Sequence, residues 1–77
     1  MQDVFDQVSR IVARILRVEE SRVRPDSRFK QDLGADSINL VEIAMAIEQE
    51  FDITLEDEEV ANITTVDAAV SYILRRT

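Results

Sequence analysis

Cysteine, histidine and tryptophan are all missing from this chain. Without cysteine there is no disulfide, thiolate metal site or cysteine nucleophile, and without histidine there is no Ser–His pair. General acid–base work would fall to a strongly shifted carboxylate. Glycine and proline occur once each, as Gly34 and Pro25, so long Gly- or Pro-rich linkers are excluded and the balance favours helices. The opening MQDVFDQVSR has neither a basic leader nor an apolar run, and no stretch approaches membrane-spanning length. A cytoplasmic protein with no membrane span is expected. The 77 residues are read as a single domain, 1–77, too small to build a two-substrate cleft of its own, and therefore as no enzyme.

Positive charge is missing from a long interval. Seven of the nine basic residues (Arg10, Arg14, Arg17, Arg22, Arg24, Arg28 and Lys30) lie in the first thirty positions, and none occurs from Gln31 to Leu74. That interval holds eleven Asp or Glu, and the whole chain carries −7. Such a block repels nucleic acid and attracts basic protein surfaces. The arginines of the first segment read as a solvated face.

What is present is helical periodicity. Val4, Phe5, Val8, Ile11, Val12, Ile15 and Leu16 form one apolar stripe of a helix running to about Arg17. From Val18 to Ala35 the apolar residues are too sparse for a helix. This long loop is expected to be held to the core by Val23, Phe29 and Leu33. A second helix is predicted from Asp36 or Ser37 to about Asp52. A short third one follows Thr54, capped by Thr54 with Asp57 three residues on. A fourth is signalled by Thr64 and Asp67, with a stripe of Val66, Ala69, Val70, Ile73 and Leu74. The fold class is all-α: a four-helix bundle of three long helices and a short third helix, with the long loop between helices 1 and 2.

The second helix has two apolar faces. At about 100° per residue, Leu40, Ile43, Ala44, Ile47 and Phe51 share one side and face the core. Ile38, Val41 and Met45 share the opposite side with Glu42, Glu48, Gln49 and Asp52. Apolar residues grouped on a water-facing side suit a transient docking surface, with an acidic rim for steering. Coverage by another element is the plainer alternative. Ser37 opens this helix next to Asp36. A serine there is normally a structural cap, but Asp36 is equally able to cap, which would leave the Ser37 hydroxyl projecting near the positive end of the helix.

The stretch FKQDLGADSINLVEIAMAIEQEFDITLEDEEVANITTVDAAVSYI, Phe29 to Ile73, resembles the acyl carrier proteins. Its Asp-Ser-Ile core is similar to that family's Asp-Ser-Leu attachment motif. The resemblance implies that a phosphopantetheinyl transferase places a 4′-phosphopantetheine arm on Ser37, with Asp36 assisting during attachment. It also explains the missing cysteine, because the reactive thiol arrives with the cofactor from coenzyme A. It implies a monomer that shuttles acyl thioesters among the acyl-handling synthases and transferases of fatty acid, lipid or polyketide biosynthesis, enzymes with basic docking surfaces. It places docking on Ile38, Val41, Glu42, Met45 and Glu48, and an acyl-chain cavity among Phe29, Ile47, Leu55, Ile63, Ala69 and Tyr72. Plain core packing is the other reading of those six. Ile38 stands where the family usually has Leu, and Asn39 and Gln49 stand at common acidic positions, so the rim is less negative and the partner set is expected to be restricted. Three alternatives stay open: a peptidyl or aminoacyl carrier of the same fold, an unmodified acidic adaptor, and a calcium-responsive domain built on Asp52, Glu56, Asp57, Glu58 and Glu59. The last lacks the glycine of an EF-hand loop, and no metal ligand is expected.

Overall fold

A computed structural model describes residues 3–76. Four helices follow one another: α1 (Val4–Leu16), α2 (Ser37–Phe51), α3 (Asp57–Asn62) and α4 (Val66–Arg76). The all-α expectation holds. Among the described residues the only β-type pairing is a single bridge between Arg28 and Thr65.

The core follows the apolar stripes. Val8, Ile11 and Val12 of α1 meet Ile43 and Ile47 of α2 and Val66, Ala69 and Ile73 of α4, all buried. The helix α1 packs against both α2 and α4, while α3 leans on α2. Removing these branched side chains from water is the main force holding the three long helices together. Leu74 departs from its predicted stripe and is 59% exposed, because the last turn of α4 extends past the core that buries Ile73. One polar atom is trapped in this scaffold: the Ser9 hydroxyl is buried without a hydrogen-bond partner.

Backbone pairing and three apolar anchors hold the long loop, which includes a 3-10 turn at Glu20–Arg22. Val23 and Phe29 are buried and Leu33 is half-buried against the core, as expected. The backbone pairing lies beyond any sequence pattern. The Phe29 N–H donates to the Thr64 carbonyl at 3.0 Å, Val66 N–H to Ser27 at 3.0 Å, and Asp67 N–H to Pro25 at 2.8 Å. The loop therefore runs beside the α3–α4 junction and ties it to the start of α2.

Two predicted caps move for this reason. The Thr64 carbonyl is committed to Phe29, and the cap of α4 is Thr65, whose Oγ1 accepts from the Ala68 N–H at 3.1 Å. Thr54 does not cap α3. The Leu55 N–H is taken by the Glu48 carboxylate at 2.8 Å, and the chain stays non-helical until Glu56, the N-cap of α3. The Glu56 N–H then donates to Glu59 Oε1 at 2.9 Å.

Candidate functional site

The approach to Ser37 is built by one left-handed residue and a capping pair. Gly34 has φ of +71°, a conformation that L side chains rarely adopt. The turn around it closes through bonds from Leu33 N–H to Arg28 and from Ala35 N–H to Phe29, and Ala35 is buried. Asp36 emerges extended and becomes the N-cap of α2. Its Oδ1 accepts from the Asn39 N–H at 2.8 Å, while Asn39 Oδ1 accepts from the Asp36 N–H at 3.1 Å. This reciprocal box uses the residue the sequence reading treated as a lost acid; the spacing Asp-x-x-Asn was the available signal.

Ser37 is thereby relieved of capping. It is exposed, is the first helical residue, and its hydroxyl makes no hydrogen bond to any described residue. The N–H groups of Ser37 and Ile38 precede the first intrahelical bond, which Leu40 makes to Asp36 at 3.0 Å. No acid lies in the first turn. An anion esterified to this oxygen would sit at the positive end of the helix.

A groove of about 740 Å³ opens beside Ser37. Phe29, Leu40, Val41, Val60 and Ile63 give it an apolar floor; Lys30, Gln31, Asp57 and Thr64 contribute polar edges. Deeper in the bundle lies a cavity of only about 20 Å³, lined by Phe29, Ile47, Leu55, Ile63 and Ala69. Five of the six residues expected around an acyl chain therefore do come together. Leu40, Ile43, Ala44 and Val60, which were not named for it, complete the wall. At this size the cavity holds no more than about one water-sized sphere.

Tyr72 does not line that cavity. Its hydroxyl donates to Glu59 Oε2, which Arg76 also contacts at 2.6 Å, and the Arg76 guanidinium lies 4.8 Å from the ring centre. The tyrosine thus faces a separate groove between α3 and α4. Glu59 is thereby withdrawn from the acidic run, and among the described residues no three carboxylates are grouped to hold a cation.

On the outer side of α2, Ile38, Val41 and Met45 are 71%, 54% and 55% exposed, beside exposed Glu42. The structure leaves this patch uncovered. Glu48 differs from the other named rim residues: it is half-buried, and its carboxylate is engaged with Leu55. Arg28, at the other edge of the site, holds Asp32 through two contacts of 3.0 and 3.1 Å, and Asp32 also accepts from the Arg28 N–H at 2.9 Å. These hydrogen bonds push the Asp32 carboxyl below its ordinary range and the guanidinium above its own.

A helical bundle that presents an unbonded serine hydroxyl at a helix start, beside a groove, defines a carrier scaffold for a covalently attached group. Residues 6–73 match the phosphopantetheine attachment site family, and the chain belongs to it. Covalent 4′-phosphopantetheine is accordingly its cofactor. The residues present fit that group: a free hydroxyl to esterify, unpaired N–H groups beside it, and a groove with apolar floor and polar edges. Membership also implies handling by a phosphopantetheinyl transferase and by synthases in general. Among the described residues no helix is long and apolar enough to cross a membrane.

Proposed function

We propose that the chain is an acyl carrier that holds acyl intermediates as thioesters on an arm esterified to Ser37 and presents them to the enzymes of fatty acid, lipid or polyketide biosynthesis. The observation that carries this reading is the exposed Ser37 hydroxyl, left without a hydrogen bond because Asp36 and Asn39 cap the helix between them. The arm supplies the thiol that the chain lacks. The chain's own residues anchor it, keep its attachment point in water, and offer partners a recognisable face. Asp36 orients the serine through its cap. Ile38, Val41 and Met45 form the apolar centre of the docking surface, and Glu42 supplies its free negative edge. Glu48 belongs at the border of that surface and acts chiefly on the α2–α3 connection. The small cavity is read as the seed of an acyl-chain pocket that enlarges when α3 yields. The reactions belong to the partner enzymes.

Incubation of the apo protein with coenzyme A and a promiscuous phosphopantetheinyl transferase tests the attachment. One arm is expected on the wild type and none on Ser37→Ala, read by intact mass. An unloaded wild type beside a fully loaded control carrier would leave an unmodified adaptor ahead. Mass of the protein isolated from its natural host separates an acyl cargo from an aminoacyl one.

A further inference from the structure

Two cations border the groove that Ser37 shares, and they differ in commitment. The Arg28 guanidinium is occupied by Asp32. Lys30 is exposed, and no ion pair engages it among the described residues. The lysine is the last positive charge before the long acidic interval. Its backbone is fixed by the neighbours: Phe29 is buried and bonded to Thr64, and the turn that follows closes on Arg28 and Phe29. An ammonium on a four-carbon stem thus stands over a fixed base at the mouth of the groove.

The group attached at Ser37 begins with a phosphodiester, a monoanion that keeps its charge at neutral pH. Ser37, where it is anchored, and Lys30 both line this groove, and the first-turn N–H groups of α2 lie beside the serine. Asp36 and Asp57 are the nearby acids of the same site; Asp36 is turned to the Asn39 N–H, and Asp57 lies on α3 across the groove. We propose that Lys30 is the cationic contact for this phosphodiester, holding the anchored end of the arm along the groove. The inference rests on attachment at Ser37 and adds to it the residue that orients the arm. The contact lies in water, so it sets a preference among arm positions and does not lock one.

The test is phosphorus NMR relaxation of the loaded protein, measured for wild type, Lys30→Gln, Lys30→Arg and Arg24→Gln. Both Lys30 and Arg24 are exposed, so the fold survives each change. In Lys30→Gln the ordered population of the phosphodiester is expected to drop about two- to fivefold, the range of an exposed ion pair. Lys30→Arg restores it, and Arg24→Gln, whose side chain is outside the groove, leaves it unchanged. The difference closes in about 1 M salt, where screening acts within about 3 Å. Identical relaxation in wild type and Lys30→Gln at low salt overturns the inference while attachment stands. A wild-type mass that the transferase does not change overturns the attachment, and the inference with it.

Discussion

The three long helices and the short α3 are held in place by different physics. In α1, α2 and α4 the tie is apolar: Val8, Val12 and Val66 are fully buried, and Ile43, Ile47 and Ile73 nearly so. Each such side chain contributes on the order of 1.5–3 kcal/mol when removed from water. The six residues of α3 include no buried one. That helix is tied by its own Glu56–Glu59 bond and by the Tyr72 and Arg76 contacts on Glu59, and its Val60 is half-buried. Arg76 is 45% exposed in that ion pair, so the pair is worth no more than about 1 kcal/mol. Yet α3 forms one side of both spaces near Ser37: Val60 lines the groove and the cavity alike. A scaffold fixed by burial carries a wall fixed by exposed polar contacts, and that division is what a carrier needs if its interior is to open without unfolding.

The largest effect should come from the scaffold. Ile47→Ala is expected to cost about 2–5 kcal/mol in denaturant unfolding, against a total of roughly 4–12 kcal/mol for a domain of this size. Phe51→Ala, at a half-buried position, should fall at the low end. A loss well under 1 kcal/mol at Ile47 would erase the distinction between scaffold and wall.

Next comes the helix start that both regions border. Asp36→Ala removes a cap and should cost about 0.5–2 kcal/mol, whereas Ser37→Ala should stay within about 0.5 kcal/mol while abolishing loading. Equal losses for the two would mean that the serine shares the capping. In the opposite direction, Ser9→Ala should stabilise the bundle by up to about 1 kcal/mol, since it removes a buried hydroxyl with no partner. A destabilised Ser9→Ala would show that the hydroxyl finds a bond in solution.

The scaffold was legible because a helical stripe repeats, and the repeat predicts which residues face inward. Val8, Ile43, Ile47, Ala69 and Ile73 all lie where that period puts them. The exposed Ile38–Val41–Met45 patch was legible for the same reason. The caps of α3 and α4 were not, because Thr54, Glu56, Thr64 and Thr65 are all capable of capping locally. The choice is made by distant partners, Glu48 for Leu55 and Phe29 for Thr64. Tyr72 is expected at the cavity only from the resemblance, which says nothing of this chain's own charged neighbours; Glu59 and Arg76 engage its hydroxyl and ring on the side of the separate groove between α3 and α4. In the loop there is no period at all, so the placement of Lys30 on the groove became visible only with the chain traced in space.

A small global effect and the sharpest local one belong to Glu59→Gln. The amide keeps one acceptor oxygen, enough for the Glu56 N–H or for Tyr72 but not for both former oxygen positions, and it no longer carries the charge that Arg76 pairs with. Global stability should fall by no more than about 1 kcal/mol. Amide exchange within α3, at Val60, Ala61 and Asn62, should accelerate up to about fivefold, the equivalent of that energy confined to one local opening. Amides of Ile43, Ile47 and Ile73 should change only as far as global stability does. Arg76→Gln should reproduce the pattern, because it removes the same pair from the α4 side, whereas Arg75→Gln, with its guanidinium 5.8 Å from the Tyr72 ring and no ion pair to Glu59, should not. Acceleration of equal size in α3 and in the buried helices would mean that the short helix opens only when the whole bundle does, and the contrast between fixed scaffold and yielding wall would have to be abandoned.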